Sequence, residues 1–325
     1  MNCHQHTRRT LLAGLATGLA GLAAPARAQS DKPVRIILPN ATGSGVDAIT
    51  RAAQPALGKA LGHPVIVDNQ PGAGGIVGLQ ALARSAADGM TLGVVSNNVV
   101  IFPSVMKSMP FDMPGDFTPI AVIGYTPVVL VVNAKVPAAN AKELIALLKN
   151  RNGDMTYASG GNGTILHLAS AMFLDESDTK ARHIPYKGVG PMITDLIGGQ
   201  VDFGTAALPS VQAHLKSGAL RAIGVTTAQR VAAAPEIPTF VEQGLPRYVV
   251  EAWFAVVAPK GLPAPEVRRI HAAVSAAFND PEVKESMARQ GNVISVGPAD
   301  KAMPFFRSEL ARYAQLVKKA GVELQ

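Results

Sequence analysis

Cysteine is nearly missing from this chain: 325 residues carry one, Cys3, at the very start. Any removal of the N-terminus therefore leaves no thiol, and with it no disulfide, no cysteine nucleophile and no thiolate metal site. Charge is sparse as well, at 16% of residues against roughly 25% in an average soluble chain. Aromatics make up 5%, with a single tryptophan. Disorder needs low hydrophobicity and high net charge, and a chain that is 48% hydrophobic with a formal charge of +7 has neither. The apolar run Leu11–Ala24 has 14 residues, short of the roughly 20 that a membrane span requires. No HExxH pair, GxSxG elbow or GxxxxGK[ST] phosphate loop occurs, and His63, His167, His183, His214 and His271 show no ligand spacing. These absences weaken an enzymatic reading and supply no metal or cofactor site.

What is present begins with an export leader. Arg8 and Arg9 form a basic start, the apolar run follows, and Ala26-Arg27-Ala28 supplies a small-x-small cleavage site. Cleavage after Ala28 and a periplasmic destination are expected. The paired arginines in Thr7-Arg8-Arg9-Thr10-Leu11-Leu12 suit twin-arginine (Tat) export, and ordinary Sec leaders are basic there too. Removing the leader takes away Arg8, Arg9 and Arg27 and no acid, leaving 27 basic and 23 acidic residues, or +4. Most of the basicity belonged to targeting, and no basic cluster remains to mark nucleic-acid binding.

The remainder has the length of about two domains. Short apolar runs alternate with helical patterns: strands over Val34–Leu38, Val65–Asn69 and Leu92–Ser96, helices over Val46–Leu61 and Ile76–Ala86. This rhythm predicts βαβ units and parallel strands, and hence an α/β fold. It resumes after residue 130 with helices over Ala141–Lys149, Thr164–Leu174, Met192–Ile197 and Val211–Ser217. Between them stand strands over Met155–Ala158, Ala181–Ile184, Asp202–Thr205 and Arg221–Val225. Helices near Pro265–Phe278, Pro281–Arg289 and Met303–Lys319 close the chain. Two extended segments, Pro127–Asn133 and Tyr248–Ala258, bracket the middle block. They read as a pair of crossing strands between two lobes, or as ordinary core strands of one large sheet.

Two glycine-rich turns sit between a strand and a helix. In Leu38-Pro-Asn-Ala-Thr-Gly-Ser-Gly-Val-Asp47, Gly43 and Gly45 let a ligand approach the backbone, and a helix starting near Ser44–Asp47 aims unpaired amides into the turn. With the helix dipole this is a site for an anion such as a carboxylate; alternatively Ser44 or Asp47 merely caps the helix. Tyr157-Ala-Ser-Gly-Gly-Asn-Gly-Thr-Ile-Leu-His167 repeats that logic in the other half, offering Ser159, Gly161, Asn162, Gly163 and Thr164. His167, one turn into the helix, faces either the ligand or its own packing. Gln70-Pro-Gly-Ala-Gly-Gly-Ile-Val-Gly78 lacks the context of a dinucleotide fingerprint and reads as a tight turn that could border a cleft. Trp253 is a ligand wall or a core residue, and Lys187 an anion contact or a solvated loop lysine.

In order along the chain, LPNATGSGVDAITR, VIVDNQPGAGGIVG, YASGGNGTILHLA, HIPYKGVGPMITDLIGGQVDFG and PEIPTFVEQGLP follow the leader. Together they closely resemble the Bug/TctC family, the extracytoplasmic solute-binding proteins of tripartite tricarboxylate transporters, over nearly the whole mature chain. The resemblance implies a type II periplasmic-binding-protein fold, with two α/β lobes joined by two crossing strands and the ligand in the cleft between them. It implies lobe 1 over residues 29–130 and 252–325, and lobe 2 over residues 131–251. It implies a small carboxylate ligand (a di- or tricarboxylate or an aromatic acid), held by the loops Asn40–Asp47 and Ser159–Thr164, and no cofactor. Membrane permease subunits are the implied partners of a chain that acts as a monomer.

Two departures from the family pattern bear on the ligand. The first loop usually reads P-G-G-x-x-D, whereas here Ser44 replaces a glycine in Thr42-Gly43-Ser44-Gly45-Val46-Asp47. Where an acid often meets a ligand amino group, this chain has Ala206 and Ala207, so a ligand without an ammonium group is expected. Capture by hinge closure follows as the mechanism, with no catalysis. Two other roles use the same cleft: ligand sensing for a membrane kinase, and hydrolysis with Ser159 or Ser44 as nucleophile and His167 as base.

Overall fold

Alternation of strand and helix governs the first hundred residues of the computed structural model, which describes residues 32–322. The leader, its cleavage site and Cys3 lie outside them. The order is β1 (Val34–Leu38), α1 (Gly45–Leu61), β2 (Val65–Asn69), α2 (Ile76–Ala83), β3 (Thr91–Ser96), α3 (Asn98–Val105) and the long β4 (Phe117–Asn133). A middle block follows: α4 (Ala141–Arg151), β5 (Thr156–Ser159), α5 (Ile165–Glu176), β6 (Arg182–Pro185), α6 (Val189–Gly198), β7 (Phe203–Ala207), α7 (Leu208–Lys216) and β8 (Leu220–Val225). The chain then returns through β9 (Glu251–Pro259) to α8 (Ala264–Asn279), α9 (Pro281–Arg289), β10 (Val293–Ile294) and α10 (Ala299–Lys319).

One ten-stranded sheet runs through the molecule in the order β2-β1-β3-β9-β4-β7-β5-β6, with β8 and β10 also on β4. The βαβ units are parallel, β1 pairing β2 and β3 while β5 pairs β6 and β7. The crossing strands are antiparallel to their neighbours. β4 changes partners midway: Phe117–Pro127 pairs β9, and Val128–Asn133 pairs β7 and β8. The seam between Pro127 and Val128 thus divides the sheet into two halves. Thr226 fastens it, its amide reaching the Val128 carbonyl at 2.9 Å while its hydroxyl donates to the carbonyls of Val128 and Val250.

Packing explains the helices. α1 buries Ile49, Ala53, Leu57 and Leu61, one stripe at four-residue spacing, against β1, β9, α8 and α9. α6 and α7 cover the middle block with Met192, Ile193, Leu196, Leu208 and Val211. A third cluster joins α2, α3, α5 and α10 through Phe102, Phe173, Phe306 and Tyr313.

The predicted strands and helices all occur, with ends shifted by a few residues. Three elements go beyond the periodic reading: the upper part of β4, α3, and the two-residue β10 that pairs with β4. β4 starts at Phe117, ten residues before the expected Pro127, because Pro119 and Gly124, which read as breakers, sit at register shifts in its pairing with β9. α3 is buried on nearly every side, so its apolar residues form an unbroken run that shows no helical period. β9 begins at Glu251 rather than Tyr248, whose ring instead packs on Phe173 and Phe240 at 5.6 and 4.8 Å between centroids.

Candidate functional site

Where β1 ends, the chain turns through Pro39–Gly43 and starts α1 at Gly45. Ser44 caps that helix, its hydroxyl accepting from the Asp47 amide at 3.3 Å, and the Ala48 amide already reaches the Ser44 carbonyl. Of the first four amides, those of Gly45 and Val46 remain without an acceptor within the helix, and they point along the positive end of its dipole. Asp47 does not line the cavity described below. Its buried carboxylate accepts from the Gly43 amide at 3.0 Å, Asn69 Nδ2 at 3.0 Å and Arg51 Nε at 2.9 Å, so it clamps the loop from behind.

The second glycine turn, between β5 and α5, is spent more fully on its own structure. Thr164 caps α5 through the His167 amide, the Ile165 amide donates to Asn98 Oδ1 at 2.8 Å, and the Leu168 amide bonds the Thr164 carbonyl. Only the Leu166 amide remains of that first turn. The Gly163 amide donates to His167 Nδ1 at 3.1 Å and the Gly161 amide to Ser159 Oγ. The sequence suggested two equivalent amide nests; the structure makes the α1 end the better donor.

These turns meet around a cavity of about 670 Å³, within the size range of small-molecule sites. One half contributes Asn40, Ser44, Gly45, Pro71–Gly75, Asn98 and Thr126; the other contributes Gly161, Asn162, Thr164, Tyr186, Lys187 and Ala207. The halves touch at its edges. A Cβ on Gly45 would lie 3.1 Å from the Ala207 Cβ, and one on Gly161 3.6 Å from the Gly74 Cα. Gly163, at φ +69°, comes so close to Val105 of α3 that a Cβ would fall 2.3 Å from its methyl carbon, so no larger residue fits without displacement.

Of the residues singled out from the sequence, Asn40, Ser44, Gly45, Gly161, Asn162, Thr164 and Trp253 line this cavity. Thr42, Gly43, Asp47, Ser159, Gly163, His167 and Ala206 do not. Gly43 and Asp47 secure the first loop, while Gly163 and His167 secure the second. Ala206 packs into the core and its neighbour Ala207 meets the cavity, the alternation of a strand turning one alanine in and the next out.

His167 stacks on His183 with centroids 3.9 Å apart and planes within 8°, and Tyr157 lies near-parallel to both rings, 4.8 Å from His183 and 6.2 Å from His167 between centroids. Burial lowers the His183 pKa to about 4; burial and then the His183 charge lower that of His167 to about 3. Both rings are therefore neutral near pH 7. Ser159 Oγ bonds His183 Nε2 at 2.7 Å, so the Ser159–His167 pairing weighed from sequence is not formed. Ser159 is also fully buried and presents no surface to a substrate.

Set beside known proteins, residues 49–322 match the family described as the tripartite tricarboxylate transporter family receptor. The chain belongs to this family. It is 34% identical to the protein BugT of Bordetella pertussis over 98% of this chain and 99% of that one. Among solved structures, the periplasmic binding protein BugD superposes with a TM-score of 0.85 at 30% identity, covering 90% of this chain and 99% of that one. A Rhodopseudomonas palustris protein solved with bound malate gives 0.80 at 26% identity over 88% of this chain and 98% of that one. An R. palustris protein solved with adipate gives 0.87 at 28% identity over 90% and 98%. The fold is thus that of the Bug/TctC periplasmic binding proteins.

Several cavity residues escaped the motif reading. Pro71–Gly75, read as a turn that could border a cleft, supplies a third glycine-rich wall, whose composition was legible in the sequence although its direction was not. Asn98 opens α3, the helix without a visible period, and Thr126 lies on the unexpected part of β4. Nothing in the sequence marked either. In this member of the family Ser44 serves as the α1 cap, which accounts for a hydroxyl residue at that loop position. Among the described residues no group of three or more His, Cys, Asp or Glu side chains is placed to hold a metal ion.

Proposed function

We propose that this chain captures a small carboxylate in the cavity between its halves, in the periplasm, and delivers it to the membrane permease of a tripartite transporter. One observation carries the reading: the Gly45 and Val46 amides at the α1 start enter a cavity that, among the described residues, no acidic side chain lines. A carboxylate placed there accepts charge-assisted hydrogen bonds from neutral donors. The absence of a lining acid also favours a ligand without an ammonium group. The bound adipate and malate of the two R. palustris relatives support the ligand class, and the leader supports export with cleavage after Ala28.

The two halves serve as lobes, residues 29–130 with 252–325 and residues 131–251, hinged where β4 changes partners and β9 begins. Closure brings Asn98 onto the α5 start and Lys187 to the cavity mouth, excludes water and strengthens the bonds to the anion. The test is calorimetry against a carboxylate panel combined with small-angle scattering. Saturable binding by at least one carboxylate, with a smaller radius of gyration at saturation, is expected. Absence of binding across the panel defeats the carboxylate reading; binding with an unchanged radius defeats closure.

A further inference from the structure

α5 is touched at both ends by elements of the other half. Its 12 residues span about 18 Å. At its start the Ile165 amide donates to Asn98 Oδ1 of α3 at 2.8 Å. At its far end Met172 and Asp175, with Tyr248 beside them, share a crevice with Leu316 and Lys319 of α10, and Lys319 Nζ lies 3.8 Å from Asp175. That ion pair is exposed and contributes little. The contact rests on Leu316 and Val317, which pack into the cluster that holds Phe173 and Tyr248. α10 thus joins β4 and β9 as a link across the seam.

The two elements that reach α5 are tied to each other. Asn97, next to Asn98, is fully buried, and its carbonyl accepts the Val100 and Ile101 amides in the first turn of α3. Its Nδ2 donates to the Glu251 carbonyl at 3.0 Å and to the Tyr313 hydroxyl of α10, while its Oδ1 has no partner among the described residues. Two bonds from one nitrogen therefore fix this side chain, one to the first residue of β9 and one to α10. Tyr313 is itself held fast. It is buried, and the Arg312 guanidinium over its ring, 5.7 Å from the centroid, is anchored on Glu309 at 3.2 Å.

We propose that α3 and α10 form a bracket that grips α5 at both ends when the halves are together, and that Tyr313 is the positioning residue that sets Asn98 against the α5 start. This rests on the closure reading above and deepens it. The Asn98 bond needs α3 to begin at the right place, and the Asn97–Tyr313 bond fixes where α3 begins relative to α10. Tyr313 does not line the cavity; it acts through Asn97 and Asn98.

The experiment is amide hydrogen exchange at Ile165, followed by NMR on the mature protein with no carboxylate added, which reports how often the Asn98 bond opens. Tyr313→Phe keeps the ring and removes the hydroxyl. It should speed Ile165 exchange at least threefold and leave the Leu168 amide, bonded to the Thr164 carbonyl within the helix, unchanged. Asn98→Ala should speed Ile165 exchange further, and adding Tyr313→Phe to Asn98→Ala should give no additional increase, because the bond through which Tyr313 acts is gone. Leu316→Ala, at the far grip, should also speed exchange at Ile165; no change there shows that the two ends are not one bracket. Unaltered exchange in Tyr313→Phe overturns the positioning role, as does an equal acceleration in both backgrounds or one shared by Leu168, either of which marks general loosening. Since the readout needs no bound carboxylate, an empty carboxylate panel or an unchanged radius of gyration defeats the preceding reading separately from this one.

Discussion

Protonating either ring of the His167–His183 stack places a cation among buried aromatic rings, and protonating His167 also converts its Nδ1, which accepts from Gly163, into a donor facing a donor. The folded-state values of about 3 and about 4 lie below the ordinary histidine value of 6.5, so the unfolded chain binds more protons over the interval between them. Stability from this pair is complete above about pH 6.5 and is lost as the pH falls toward 4. The melting temperature should therefore be flat from pH 8 to 7 and decline between pH 6.5 and 5, and His183→Phe should shallow that decline. Asp47 makes a complementary case. Replacing it with alanine strands the Gly43 amide and releases Asn69 and Arg51, at a cost of about 2 kcal/mol in urea denaturation. Because the first loop loses its clamp, the stabilisation given by a bound carboxylate should shrink as well.

At the scale of elements, Gly124 interrupts β4 at φ +156°, where the backbone of β10 crosses so closely that a Cβ would lie 2.0 Å from the Val293 carbonyl oxygen. Gly124→Ala should push β10 off the sheet and lower stability by roughly 1–3 kcal/mol, measured as a shift in the denaturation midpoint. The same residue shows how far the sequence could be read. The βαβ units were legible because each strand and helix carries its own period. The upper part of β4 was not, since Pro119 and Gly124 look like stops unless the bulges that absorb them are known. α3 hid for the opposite reason, having no polar face. At the site, the loop compositions announced bare amides, and Asn40, Ser44, Gly45 and Gly161 indeed line the cavity. Which amides stay unpaired could not be read there, because Asn98 reaches the second turn only through tertiary packing and the local bonds from Ser159 and His167 depend on how that turn is folded.

Across the whole molecule, few polar contacts join the halves at the cavity. The Asn98 Oδ1 bond to the Ile165 amide, at 2.8 Å, is the shortest of those described above, and Ser210 Oγ to the Gly43 carbonyl, at 3.4 Å, is looser. Asn98→Ala should weaken the closed arrangement by about 1 kcal/mol, which appears as a roughly fivefold faster ligand release with little change in the association rate. Stopped-flow measurement separates the two, and an unaltered release rate would mean that this bond contributes nothing to holding the halves together. Ser210→Ala, by comparison, should leave release nearly untouched.

The seam in β4 has a mechanical corollary. Pro127 is the last residue to face Glu251 of β9, and Val128 the first to face Ala207 of β7. Proline brings no N–H to a ladder, so the strand's weakest rung coincides with the boundary between its two sets of partners. What main-chain fastening the boundary has comes from the Thr226 amide on the Val128 carbonyl, so torsion applied there would load that one bond before either flanking ladder.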